Sequence, residues 1–350
     1  MKTTKQPIRR AVIGIDLGDK QHAICVLDKD GNTLKEFSIP NTEKHLQTLA
    51  NDYPKARIAM EVGTHSPWIS RLFTARGMEV FVANARKLRA IYTNERKCDK
   101  VDARMLARIA RMDPELLHPV HHGSEQNQMD LLPIKLRDAL VRQRAAIISS
   151  IRASLKALGV RLPCTSTDSF ARQARAGLAQ RGDLLALIEP SLLALESLCA
   201  RIAEYDKTII KTAAERHPQA GKLQAIAGIG PITSLSFVLT IEDPSRFKDV
   251  RDVGAFLGLV PRRDQSGATD KQLPISKAGD RYLRGLLVQA AQYLLGHFGP
   301  DCDLRRYGLK LAARGGKAAK KKAVIAVARK LAVVMLTLWQ KQSDYQPFRQ

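Results

Sequence analysis

The sequence is short of acid. Lys and Arg number 57 against 34 Asp and Glu, a formal charge of +23 over 350 residues. It is also short of cysteine: five, at positions 25, 98, 164, 199 and 302, none in CxxC spacing. An odd, scattered set argues against a disulfide framework and against structural zinc, and it fits a reducing cytoplasm. No apolar run reaches the roughly 18 residues of a membrane span. The best stretch, LAVVMLTLW at 331–339, is too short and follows Arg329 and Lys330. The basic start MKTTKQPIRR leads into a strand pattern rather than an apolar signal core. No internal repeat recurs at a fixed period. Apolar residues, at 45%, and charged residues, at 26%, are in ordinary supply. That composition supports packed cores and excludes wholesale disorder, and the length suggests two or three domains.

The acid deficit points to a polyanionic partner. A globular protein this basic gains affinity for nucleic acid by releasing condensed counterions. The excess is uneven: residues 251–350 carry 19 Lys and Arg against 7 Asp and Glu. A ribosome-associated or merely soluble basic protein is the bland alternative.

Hydropathy patterning divides the chain into three stretches. In 1–124, strands are expected at 11–16, 22–28, 33–38, 57–62 and 78–83, with an Asp30-Gly31 turn between the second and third. An amphipathic stretch at 43–52 and helices at about 66–76, 85–92 and 100–112 fall between or after them. A three-strand meander followed by α/β units is the order of a ribonuclease H-like α/β fold. In 125–217 strand signals vanish. Leu136, Leu140, Ile147, Ile148, Ile151, Leu155 and Leu158, then Leu192, Leu195, Leu198, Ile202, Tyr205 and Ile209, recur at three- and four-residue spacing. Pro163 and a Thr-Ser-Thr-Asp cluster separate the two runs, so an all-α hairpin or coiled-coil arm is expected, and dimerisation through it. Residues 218–350 read as compact and mainly helical, with helices over 279–298 and 317–340. Gly315-Gly316 and Lys317, Lys320, Lys321 and Lys322 open the last helix.

Four carboxylates stand at element ends in the first stretch. Asp16 closes the first strand in IGIDLG, and Glu61 follows the apolar run Ile58, Ala59, Met60. Asp99 and Asp102, three apart at the start of a helix, share one helical face. Converging carboxylates repel unless cations join them, and hard oxygen ligands suit Mg²⁺ in phosphoryl transfer. Each has a plainer reading. Asp99 could cap its helix, and Glu61 could be an exposed strand-end charge. Asp16 between apolar residues is harder to dismiss, because burying a lone carboxylate is costly. IGIDLG also opens actin-like ATPases, but the second phosphate turn that fold needs is absent; Asp252-Val253-Gly254 lacks its companion residues.

In the last stretch, IAGIGP at 226–231 resembles a helix–hairpin–helix turn in which Gly228 and Gly230 let backbone N–H groups approach a phosphate. A tight helix–helix turn without ligand is the alternative. The string GAFLGLVPRRDQSGATDKQLPISKAGDRYLR at 254–284 places Arg262 and Arg263 before Ser266, and Lys271, Lys277, Arg281 and Arg284 after it. A serine attacks a phosphodiester only when positioned, with the developing charge neutralised. Ser276 is a second candidate, although its SKAG string could cap the helix that begins near Asp280.

Together, IGIDLG, AMEVGTHSPW and KCDKVDARMLARIA, then IAGIGPITS, FLGLVPRRDQSG and ISKAGDRYLR, resemble the DEDD transposases of bacterial insertion sequences, the insertion-sequence one-ten family. The resemblance spans almost the whole chain. It implies a RuvC-like first domain in which Asp16, Glu61, Asp99 and Asp102 form the acidic, Mg²⁺-binding tetrad. It implies a C-terminal transposase domain with Ser266, rather than Ser276, as nucleophile. It further implies recombination through a covalent phosphoserine link, a composite site built by different protomers of a dimer or tetramer, and a structured non-coding guide RNA that selects donor and target DNA. Asp264 departs from the pattern, where relatives often carry an aromatic. The competing readings are a metal-dependent junction resolvase that uses water, and a non-catalytic RNA-binding protein.

Overall fold

The computed structural model describes residues 11–88, 98–267 and 269–348. The chain forms two compact units, Met1–Glu125 and Gln126–Gln350.

The first unit is a five-stranded mixed sheet ordered β3-β2-β1-β4-β5. Its strands are β1 (Val12–Leu17), β2 (Gln21–Leu27), β3 (Thr33–Pro40), β4 (Arg57–Glu61) and β5 (Glu79–Ala83). β1, β2 and β3 run antiparallel in turn, whereas β4 lies parallel to β1 and β5 parallel to β4. This arrangement is consistent with a ribonuclease H-like domain. The helices are α1 (Glu43–Asp52), α2 (Ser66–Ala75) and α3 (Asp99–Met112). The helix expected over 85–92 falls partly outside the described residues, and 85–87 form a turn.

Alternation along the strands supplies two cores, one on each face. Ile13, Ile15, Ile24, Val26, Ile58 and Met60 pack with Leu46 and Leu49 of α1 and Ile69 and Phe73 of α2. Val12, Ala23, Cys25, Ala59 and Ala83 pack with Ala103, Leu106, Ala107 and Ala110 of α3. Small residues on both sides bring α3 close to the sheet. A Cβ on Gly14 would lie 1.9 Å from the Ala103 carbonyl oxygen and 2.6 Å from the Ala107 nitrogen. Arg104 of α3 donates two hydrogen bonds to Glu36 of β3, at 2.6 and 2.8 Å. Arg57 of β4 donates to the Ala110 carbonyl at 2.9 Å, so both ends of α3 are tied to the sheet.

The second unit holds two long helices, α4 (Glu125–Ala157) and α6 (Gly182–Arg216), with the short α5 (Phe170–Gly177) between them. They run antiparallel: Arg137 pairs with Asp206, and Arg144 lies 3.6 Å from Cys199. At one end Ile148, Ile151 and Leu155 pack with Phe170, Ala174, Leu192 and Leu195. At the other, Ile134 and Ile209 join a larger core. That core is built from α7 (Pro218–Leu223), α8 (Pro231–Ile241), α9 (Asp252–Phe256), α10 (Arg281–Leu295), α11 (Asp303–Ala312) and α12 (Gly316–Lys341). By length and composition α12 passes as a possible membrane span, as a buried core helix also can. Its apolar residues are accounted for otherwise: Val327, Leu331, Met335 and Leu336 are fully buried in the core.

The mainly helical expectation for this region missed one element. β6 (Pro261–Ser266) and β7 (Thr269–Ile275) form an antiparallel hairpin. Its first strand, PRRDQS, has no apolar alternation to announce it, because residues 262–266 are exposed on both faces.

Candidate functional site

The first unit gathers carboxylates on one face. Gly14 faces α3, so Asp16, two residues on, leaves β1 on that same side. Its antiparallel partner, Ala23, belongs to the core under α3. On parallel β4, Ala59 belongs to that core as well, so Glu61 also faces α3. Ile15 pairs with Met60, which sets Asp16 and Glu61 level on strands about 4.8 Å apart. Asp102 directly precedes Ala103, whose carbonyl abuts Gly14, and is only 8% exposed.

Asp99 is the first residue of α3 and is exposed; the cap position is Cys98. The capping alternative for Asp99 is therefore set aside. The glycines of IGIDLG also have structural duties. Gly14 admits α3, and Gly18 closes the β1–β2 turn, where a Cβ would sit 2.2 Å from the Gln21 carbonyl oxygen. Neither has to cradle a phosphate.

The donor set fits a hard divalent cation in its chemistry: oxygen ligands only, with Asp16 and Glu61 at the carboxyl ends of adjacent parallel strands and Asp102 on the helix that packs over them. Among the described residues, however, no three His, Cys, Asp or Glu side chains are gathered closely enough to hold an ion.

A loop after Glu61 was not singled out in the sequence. The buried Ser66 hydroxyl donates to the Gly63 carbonyl at 2.8 Å, accepts the Gly63 N–H at 3.0 Å, and lies 2.8 Å from His122 Nε2. Burial, then the Arg71 and His121 charges, pull the His122 pKa below its ordinary 6.5. No motif spacing joins residues 56 apart, so only the fold could reveal this pair.

In the second unit Ser266 ends β6 beside a turn at Gly267, opposite Thr269. It is exposed, and its hydroxyl has no hydrogen-bond partner among the described residues. Arg262 and Lys271 are exposed nearby, and Lys271 pairs in register with Asp264. Arg263 is engaged: it donates to both oxygens of Asp270 at 2.7 and 2.6 Å. That bond raises the arginine pKa and lowers the aspartate's. Asp270 was not among the sequence candidates.

The remaining candidates separate by role. Lys277 and Arg281 are exposed. Arg284 donates to the Leu257 and Ala278 carbonyls at 3.0 and 2.7 Å, which fixes the loop leading into α10. The cap of α10 is Asp280, which accepts the Leu283 N–H at 2.7 Å. Ser276 instead accepts only a long 3.4 Å bond from Ala278, so the reading of SKAG as the cap is corrected. Gly228 takes φ +84 in the turn between α7 and α8, and Gly230 immediately precedes α8. Together with Gln224, Thr233, Gln289 and Tyr293 they line an open groove of about 510 Å³.

Comparison with known proteins covers both units. Residues 13–159 match the DEDD-type IS110 family described as "Transposase", and residues 220–306 match the "Transposase IS116/IS110/IS902 family". The chain is 30% identical over 287 residues to the transposase for insertion sequence element IS1328 of Yersinia enterocolitica, covering 80% of this chain and 83% of that one. It is 26% identical over 343 residues to the transposase for insertion sequence element IS1111A of Coxiella burnetii, covering 95% and 91%. A probable family 20 transposase of Pseudomonas aeruginosa is 24% identical over 345 residues, covering 96% and 98%.

Proposed function

The chain belongs to the IS110 family of transposases, enzymes that cut and recombine DNA, and from that premise we propose that it does so by attack of the Ser266 hydroxyl on a DNA phosphodiester. The observation that carries the reading is the placement of Ser266, exposed at the tip of a hairpin that also bears Arg262, Arg263 and Lys271, with its hydroxyl unengaged among the described residues. The serine oxygen forms a bond to phosphorus, the bridging phosphodiester oxygen leaves with the electron pair, and the serine proton passes to a base. Attack by a free DNA hydroxyl on the phosphoserine restores the serine and joins the strands. Arg262, Lys271 and, once released by Asp270, Arg263 hold the phosphate and offset the charge that builds on it. A well-placed donor of this kind contributes roughly 3–4 kcal/mol in other enzymes.

Asp16, Glu61, Asp99 and Asp102 would hold Mg²⁺, which when bound supplies positive charge against the phosphate. Gly228 and Gly230 bring backbone amides to a second phosphate, and Lys277 and Arg281 line the DNA path. The partners of this reading are donor and target DNA, a structured non-coding RNA that guides their choice, and further copies of the chain joined through α4 and α6. The three-part division at 124 and 217 belongs to the same proposal, with the α4–α6 arm as its middle segment.

The test is to trap the adduct. Denaturing a reaction with end-labelled DNA should leave label on the wild-type chain and none on Ser266→Ala, while both bind DNA equally. Full recombination by Ser266→Ala would instead favour water as the nucleophile, as in a junction resolvase.

A further inference from the structure

The segment from Leu304 to Ser343 contains eleven Lys and Arg and no acid. The structure divides these cations. Four are used by the fold, and Lys341 stands apart at the far end of α12. Arg305 donates to the Leu294 and Gly296 carbonyls, Arg306 to Asp301, and Lys330 stands 4.3 Å from the Tyr307 ring centroid. The Arg329 side chain packs against Gly254. The other six are Lys310, Arg314, Lys317, Lys320, Lys321 and Lys322. All six are exposed, and none has an ion pair or side-chain hydrogen bond among the described residues.

These six are neighbours in space. α11 and α12 pack together, with Gly308 of α11 close to Val327 of α12, and the turn at Ala313–Gly315 reverses the chain between them. The last turn of α11 and the first two turns of α12 therefore end on the same side. Burial along α12 begins only at Ala323, so its lysine-bearing turns stand clear of the core. Six like charges within about 20 Å, from the helical rise, repel one another, and nothing among the described residues neutralises them.

We infer that this patch is a sequence-independent anchor for the sugar–phosphate backbone of duplex DNA, separate from the Ser266 hairpin. The charge is complementary to a polyanion. The rings beside the patch are already covered by cations, Phe348 by Arg306 and Tyr307 by Lys330, rather than open for bases to stack on as in single-strand binders. Lysines present point charges without the planar fork that reads base edges, which suits phosphates rather than sequence. The inference rests on the family's use of DNA and is independent of the serine and carboxylate chemistry.

The salt dependence of DNA binding by the full chain tests it. Replacing Lys317, Lys320, Lys321 and Lys322 together with Gln should shrink the slope of log K against log salt, on a mixed-sequence duplex, by up to about 3.6. Removing the same charge from the first unit, at Lys29, Lys44, Lys55 and Lys87, should change it by less than about 1. Ser266→Ala should leave the slope unchanged, so loss of the covalent reading leaves the anchor standing. If the fourfold variant loses helical signal, Lys320→Gln and Lys322→Gln singly, each expected to lower the slope by up to about 0.9, decide instead. An unchanged slope, equal loss from both sets of lysines, or loss on an RNA duplex but not on DNA overturns the assignment.

Discussion

The two candidate centres are built in opposite ways. In the first unit Asp16, Glu61 and Asp102 stand on elements whose main chains nearly touch, with α3 tied to the sheet at both ends. In the second, Ser266 rides a two-stranded ribbon with an exposed polar first strand, fastened by contacts such as the Arg263–Asp270 pair. On the proposed reading, that contrast is a division of labour. Groups that must share a cation need fixed spacing, which packing provides. A nucleophile that must meet a long, variable polymer gains from a site on a ribbon that can adapt.

Direct tests of the two centres give the largest effects. Asp102→Asn and Asp16→Asn should each lower recombination by about 100-fold or more while the thermal unfolding midpoint stays near wild type. Retention of full activity in Mg²⁺ by Asp102→Asn breaks the metal assignment. Next comes the contrast in packing itself. Gly14→Ala should destabilise the chain by roughly 1–3 kcal/mol in denaturant titration, because its Cβ has no room. Gly267→Ala, at φ +53 with nothing within 4 Å, should cost only about 1 kcal/mol. Equal costs would erase the distinction between a packed edge and a free ribbon.

The loop behind the hairpin gives a smaller pair. Asp280→Ala should lose about 1 kcal/mol, a helix cap, and Ser276→Ala less than about 0.5 kcal/mol. The reverse order would return the cap to Ser276. Acid should then loosen the first unit preferentially. Burial holds His22 and His122 below their ordinary 6.5, so the unfolded chain takes up protons near that value while the folded chain does not. Stability is therefore full above about pH 7 and falls as pH drops through about 6.5. Hydrogen exchange should show that loss in residues 11–125, and His122→Gln should flatten it. The smallest expected effect is Asp270→Asn, which frees Arg263 and should tighten DNA binding a few-fold, the scale of an exposed ion pair. Weaker binding would mean that the pair shapes the hairpin rather than restrains the arginine.

The same contrast decides what could be read from the sequence. The five strands of the first unit were legible because alternate residues feed two cores. The long helices were legible only after their prolines: the apolar runs begin at Leu136 and Leu192, yet α4 and α6 start earlier and pass through Pro133 and Pro190. The hairpin was illegible because its first strand, exposed on both faces, leaves no hydropathy signal. Asp270 and His122 were missed for another reason. Their partners, Arg263 and Ser66, are set by strand register and by the path of a loop, and neither has a sequence period.

Gly14 has a consequence for inheritance. Where side chains set a distance, one of them can shrink as its neighbour swells, and the gap drifts over generations with no single step being lethal. Where two main chains set it, there is nothing to trade. The spacing of Asp16 from Asp102 is gauged by a carbonyl resting against an alpha carbon, so a change of core side chains around it leaves that gauge untouched.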